Sequence, residues 1–121
     1  MFSHKAICLA ICLAGFLVVA AAQDWPQWRG PNRDGIANGF SEPKAWPEKL
    51  TLKWKVNVGE GHSSPVVAGG KIYLHTRQGE HEVVSCLRPE AAQVIWQESY
   101  AAPYTVNSAA VRHGKGVKST P

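Results

Sequence analysis

Residues 61–98 hold four short β-rich runs in succession, and this spacing constrains the fold more than any other feature of the chain. The runs are residues 65–68, 71–76, 82–88 and 94–98. Runs this short, rich in Val, Ile, Tyr and Trp and bounded by turn residues, are typical of antiparallel strands. Between the first two runs, Gly69 and Gly70 can both take positive φ, which a two-residue hairpin requires. The sequence therefore predicts an all-β fold built on one four-stranded, up-and-down antiparallel sheet.

The first 22 residues have the layout of a secretory signal peptide. Residues 1–5 are brief and end in a lysine, residues 6–19 form an unbroken apolar run, and residues 20–22 are three alanines suited to cleavage. The apolar run is shorter than the roughly 20 residues that cross a bilayer as a helix. We therefore predict a cleaved signal, export to the periplasm or the extracellular space, and no stable membrane span after cleavage. An uncleaved anchor is the alternative.

Cleavage after Ala22 would leave 99 residues, numbered 23–121, with one cysteine. Cys8 and Cys12 leave with the signal, so Cys86 cannot form an internal disulfide. Because Cys86 lies within an apolar run, we expect it to be a small buried residue. This part contains twelve Lys and Arg and nine Asp and Glu. The basic residues are scattered along the sequence, and no basic cluster alternates with aromatic residues. This pattern argues against nucleic acid binding.

An irregular N-terminal strap and loop, residues 23–51, precede the predicted sheet. Pro26 and Pro31, with two glycines, exclude a long helix there. Trp25 and Trp28 are costly to leave in water, so we expect both to dock on a surface. A carbohydrate platform is the alternative interpretation of this pair.

Residues 52–58, LKWKVNV, alternate strictly between apolar and polar side chains. This alternation predicts a strand with one buried face. No hairpin partner precedes the segment, so we expect it to pair with a strand supplied later in the chain or with nothing.

Two segments repeat the same order of residues. GEGHSSP at residues 59–65 and GKGVKSTP at residues 114–121 share Gly-x-Gly followed by Ser-Ser/Thr-Pro, with one residue inserted after the second glycine. Pro65 and Pro121 are 56 positions apart, a spacing close to that of propeller repeats. We therefore expect a first blade at about residues 61–98 and a second repeat that begins at about residue 114. On this interpretation the chain is an N-terminal fragment of a longer protein.

These motifs resemble those of the PQQ-like β-propeller repeat family, in the quinoprotein-alcohol-dehydrogenase-like superfamily. The family's repeat reads S/T-P-x-V-x-x-G-x-V-Y and then L-D-A-x-T-G-x-x-x-W. SPVVAGGKIY at residues 64–73 matches the first half. LRPEAAQVIW at residues 87–96 matches the second half in part, because Arg88 replaces the Asp and Ala92-Gln93 replaces the Thr-Gly turn. The resemblance covers residues 24–121. It includes WPQWRGP at residues 25–31, which is similar to the opening segment of secreted members of the family. The chain is also similar to propeller lipoproteins that help assemble outer-membrane β-barrels.

The resemblance implies a seven- or eight-bladed β-propeller, of which residues 52–121 would be the start. The first blade would be four-stranded, and the strand at residues 52–58 would complete the last blade and close the ring. Ring closure protects sheet edges, and each repeat depends on its stacked neighbours for stability. The full-length protein would be a monomeric propeller.

No motif with catalytic spacing appears, so the sequence assigns no catalytic, cofactor-binding or metal-binding residue. Residues 59–61 lack the third glycine of a dinucleotide site. His62 lies beside Ser63 and Ser64, but adjacent strand residues point to opposite faces and no orienting carboxylate is placed near them. We therefore predict a non-catalytic propeller, secreted or periplasmic, that acts as a scaffold for protein partners in the cell envelope.

Two alternatives stay open, and whether the protein is an enzyme is undecided at this point. The resemblance also implies a PQQ-dependent quinoprotein alcohol dehydrogenase, whose PQQ, calcium and catalytic Asp would be held by further blades. The second alternative is a metal site formed by His75, His81, Glu80 and Glu82, with the two histidines facing each other across a hairpin.

Overall fold

The computed structural model describes residues 23–121. Four strands, β1 (Val66–Ala68), β2 (Lys71–Gln78), β3 (His81–Arg88) and β4 (Gln93–Ala101), form one antiparallel sheet in the order β1-β2-β3-β4. A 3-10 helix spans Ser108–His113. The predicted all-β class and up-and-down sheet are confirmed, with β2 and β4 longer than the sequence indicated. The predicted signal peptide, residues 1–22, lies outside the described residues.

Two of the turns depend on left-handed backbone. Gly69 and Gly70, between β1 and β2, have φ of 55° and 68°, as the hairpin prediction required. Ala92, in the turn from β3 to β4, has φ of 51°, which residues with a Cβ rarely adopt. This turn therefore keeps a left-handed residue although the chain has no glycine there. Trp96 lies in β4, after this turn, and its ring centroid is 6.1 Å from that of Tyr73.

The strand register assigns the side chains of the sheet to two faces, because neighbours across antiparallel strands share a face. A bulge between Cys86 and Leu87 shifts the pairing of β3 with β4. Face A of the sheet holds Tyr73, His75, Arg77, Glu82, Val84 and Cys86, and face B holds Ile72, Leu74, Thr76, Val83, Ser85 and Leu87.

The predicted strand at residues 52–58 does not form. The segment runs along face B instead: the hydroxyl of Thr76 donates to the Val58 carbonyl at 2.7 Å, and the indole Nε1 of Trp54 donates to the Pro89 carbonyl at 2.6 Å. These bonds come from side chains. The backbone of residues 51–59 joins no ladder within the part of the chain that the structure describes. The alternating pattern thus identified a segment that packs on the sheet, and of the two outcomes expected for it, the one without a strand partner holds within residues 23–121.

The strap docks through one of its two tryptophans. Trp25 and Val67 exchange both backbone hydrogen bonds, at 2.8 and 2.9 Å, and so extend the sheet beside β1. The docking prediction is confirmed for Trp25 and wrong for Trp28, which is 60% exposed. The reason is a tight turn in which the N–H of Gly30 donates to the Gln27 carbonyl and leaves Trp28 at the tip.

The buried core is small, and β3 contributes the largest share of it. Cys86 is 0% exposed, and Val66, Val83 and Leu87 are also buried. The prediction of a buried, unpaired Cys86 is confirmed. In contrast, all nine residues of β4 are exposed. The centre of the sheet is therefore buried, whereas its outer strand β4 is exposed.

Candidate functional site

The two repeated segments meet beside the sheet. Gly61 and Val117 form a parallel β-bridge, and the N–H of His62 donates to the Val117 carbonyl at 2.7 Å. Gly116 packs so closely that a Cβ there would lie 2.6 Å from the backbone N of Gly61. The second glycine of the second segment, Gly116, is therefore required by a close approach of the two backbones. We call this region, with the contacts described next, the repeat junction.

A buried arginine forms the centre of the repeat junction. Arg77 is 2% exposed, and its Nη2 donates to the Ala102 carbonyl at 2.6 Å and to Oε2 of Glu80 at 3.1 Å. Lys115 of the second repeat donates to Oε1 of the same carboxylate at 2.9 Å. This bond from Lys115, with one from the backbone N–H of Tyr104, holds the pKa of Glu80 below its ordinary value. Glu80 thus joins the hairpin of β2 and β3 to the second repeat.

A row of polar side chains crosses face A beside this cluster. Nδ1 of His75 lies 3.2 Å from the hydroxyl of Ser119, and the Tyr100 hydroxyl donates to Glu82 at 2.5 Å, which raises the pKa of Tyr100. Nε2 of His75 lies 3.3 Å from Glu82 but is not aligned for a hydrogen bond. Ser119, His75 and Glu82 thus follow one another in space, but the contact between His75 and Glu82 is not the hydrogen bond by which a carboxylate orients an imidazole. The row ties three strands to residue 119.

The structure separates the residues of the predicted metal alternative. His75 lies on face A, whereas His81 pairs with Gln78 and belongs to face B, so the two histidines do not face each other as that alternative required. Across residues 23–121, no three His, Cys, Asp or Glu side chains converge in the way that metal ligands do.

The His-Ser-Ser segment also serves the junction. Nε2 of His62 lies 3.1 Å from the carbonyl oxygen of His113, while the hydroxyl of Ser63 is buried and has no hydrogen-bond partner in the described part of the chain. The His62 side chain therefore contacts the residue that directly precedes the second repeated segment.

A cleft of about 320 Å³ opens next to the repeat junction. The sequence did not predict this cleft, because its walls come from three separate stretches of chain. The internal repeat was the one sequence signal that could have indicated that these stretches lie close together. Its lining includes Arg77, Glu82, Tyr104, Lys115 and Lys118.

The second candidate surface is the outer strand. Val94, Trp96 and Tyr100 of β4 are between 42% and 53% exposed, and among residues 23–121 β4 has a neighbouring strand on one side only. An edge strand with exposed aromatic side chains presents both unpaired backbone groups and apolar area to a partner.

Helical structure in residues 23–121 amounts to one 3-10 segment, so no helix there could cross a membrane. Comparison of the chain with protein-family models, with curated proteins and with solved structures finds no match.

Proposed function

We propose that the protein is a PQQ-like β-propeller, secreted or periplasmic, that acts as a non-catalytic scaffold for a protein partner in the cell envelope. The observation that carries this proposal is that the four-stranded sheet has a chain segment on each face. Residues 54–58 lie on face B, and the second repeat, residues 115–119, lies against face A.

A blade of a propeller is packed in the same way, between the blade before it and the blade after it. On this view the segment at residues 54–58 stands where the preceding blade packs, and the repeat junction is the contact with the following blade. The direct pairing of the two Gly-x-Gly segments supports this assignment, because successive repeats would present equivalent backbone to each other.

The partner would bind along β4. Its free edge can accept an extended segment as a further strand, in which main-chain hydrogen bonds supply affinity and side-chain contacts supply specificity. Trp96 and Tyr100 would supply those contacts, because both are aromatic and exposed.

Site-specific photo-crosslinking in cells tests the partner surface. A photoreactive residue at Ile95 of β4 should yield a protein adduct, whereas the same residue at Leu50, which is more exposed but lies in the strap, should not. Mass spectrometry would identify the adduct. Equal labelling from both positions, or none from Ile95, would contradict binding through β4.

Under the quinoprotein alternative, side chains would have to bind PQQ and calcium, and the described residues contain no such set of ligands. The sequence has two aspartates, and each accepts a backbone hydrogen bond: Asp24 from the N–H of Gly69 at 3.1 Å and Asp34 from the N–H of Ile36 at 2.9 Å. Alcohol-dependent reduction of a dye after addition of PQQ and calcium would establish the enzyme and overturn the scaffold proposal.

A further inference from the structure

An exposed tryptophan within a basic loop is not explained by the scaffold. Trp28 is 60% exposed at the tip of the strap, while its neighbour Trp25 is docked. The guanidinium carbon of Arg29 lies 5.5 Å from the centroid of the Trp28 ring, a cation–π distance. The indole is therefore held in position and still accessible.

The loop around Trp28 is fixed in a strained conformation. Arg29 and Arg33 have φ of 65° and 61°, in the left-handed region. Hydrogen bonds hold both: the N–H of Gly35 donates to the Arg29 carbonyl at 2.8 Å, and Nε of Arg33 donates to the Gln27 side chain at 3.1 Å. Strain of this kind persists where the surroundings enforce it, and it clusters at ligand sites.

Two open clefts flank the indole. One, of about 360 Å³, is lined by Gln27, Trp28, Arg33, Thr120 and Pro121, and the other, of about 370 Å³, is lined by Trp28, His62, Ser64, Lys118 and Thr120. The walls offer an amide, hydroxyls, an imidazole and two cations. Asp34, in the same loop, uses Oδ1 to accept from the Ile36 N–H.

This combination matches one class of ligand. The apolar flank of a pyranose ring packs on an indole, sugar hydroxyls bond to amides and hydroxyls, and a carboxylate pairs with Arg or Lys. We infer that the Trp28 loop, residues 27–33 with the two clefts beside it, binds an acidic oligosaccharide composed of uronic acid units. The inference uses residues of both repeated segments, among them His62 and Lys118, but none of β4, so it does not depend on a protein partner that binds along β4.

Calorimetric titration of the purified protein tests the site with two hexasaccharides, oligogalacturonate and neutral cellohexaose. We expect the acidic chain to bind at least about tenfold more tightly and to weaken as salt is raised. Trp28→Ala should lower its affinity at least about tenfold, while Trp28→Phe, which keeps an aromatic ring, should stay within about threefold. Trp46→Ala is the matched control, because Trp46 is also 60% exposed but lies outside the loop, and it should stay within about twofold.

Several results would overturn the inference. These are no binding of oligogalacturonate, equal binding of both hexasaccharides, or equal losses in Trp28→Ala and Trp46→Ala. Equal affinity for a duplex DNA of similar charge would also overturn it, because binding would then be general attraction of polyanions. Circular dichroism of each variant separates loss of the site from loss of the fold.

Discussion

Gly61 and Val117 pair in a parallel β-bridge, which places the starts of the two sequence repeats side by side. The contact depends on small residues, because Gly116 leaves no room for a side chain against the Gly61 backbone.

Gly116→Ala should open this bridge. Its Cβ would lie 2.6 Å from the backbone N of Gly61, and such overpacking typically destabilises by about 1–3 kcal/mol. We expect faster hydrogen exchange of the His62 amide, which donates to Val117. Gly114→Ala is the control, since a Cβ at Gly114 meets nothing within 4 Å; its strain at φ 64° should not accelerate exchange at His62. Unchanged exchange in Gly116→Ala would show that the bridge does not protect this amide.

Arg77→Ala should destabilise the sheet by about 1–3 kcal/mol, because it leaves the Ala102 carbonyl without the buried donor that satisfies it. Arg77 and Lys115 both donate to the carboxylate of Glu80. Lys115→Ala also removes one of these cations, but the Lys115 side chain is 42% exposed. An exposed pair contributes under about 1 kcal/mol. Urea denaturation measures both, and a loss for Lys115→Ala as large as that for Arg77→Ala would contradict this account of the cluster.

Trp54→Phe should destabilise the protein by about 1–2 kcal/mol, because it removes the indole donor to the Pro89 carbonyl that anchors residues 54–58 on face B. Trp46→Phe is a suitable comparison: Trp46 donates to Glu42 at 3.3 Å on the surface, and its loss should change stability by less than about 0.5 kcal/mol. Thermal melts of the two variants decide the matter, and similar melting temperatures would argue that the segment is not anchored there.

Ala92→Gly should stabilise the protein by roughly 0.5–1 kcal/mol, because glycine adopts φ of 51° without the penalty that a Cβ carries. The buried methyl group that is lost limits the gain. Ala91→Gly, one position earlier, should have the opposite sign, since it adds freedom to the unfolded chain and relieves no strain. A lower urea midpoint for Ala92→Gly would show that packing of the methyl group outweighs the strain.

Acid should weaken the repeat junction through Glu80. The folded-state pKa of Glu80 lies below its ordinary value of 4.5, so its contribution is present above pH 4.5 and is lost as the pH falls through the lower folded-state pKa. Stability measured between pH 7 and pH 3 should therefore fall less steeply in Glu80→Gln than in the wild type. Glu90→Gln, which removes an exposed carboxylate at a turn position, is the control variant. Parallel slopes for all three proteins would contradict a lowered pKa at Glu80.

The sheet could be predicted because its order is local. Each hairpin joins neighbouring runs, and Gly69 with Gly70 specified the first turn directly. The burial of Cys86 followed from its apolar neighbours in the same strand. Residues 52–58 and Trp28 could not be placed in this way, because alternation and aromatic character indicate a tendency to pack and do not say which surface is within reach.

The repeat junction was accessible from the sequence only in outline. The echo between residues 59–65 and 114–121 indicated equivalent segments, but not that Lys115 would reach Glu80 or that Ser119 would reach His75. Those contacts depend on how the second repeat folds back on face A. The position of the second repeat is set by the close approach of the Gly61 and Gly116 backbones. A repeated sequence pattern does not show how closely two backbones approach each other.

Cys86 offers a direct way to follow this molecule in time. Its thiol is 0% exposed at the centre of the sheet, and it is the one free cysteine in the described stretch. An alkylating reagent can reach the sulfur only when β2 and β3 separate from their covering segments, so the rate of labelling reports the frequency of that opening. A ligand or partner that closes the assembly around the sheet would be detected as slower alkylation, before its identity is known.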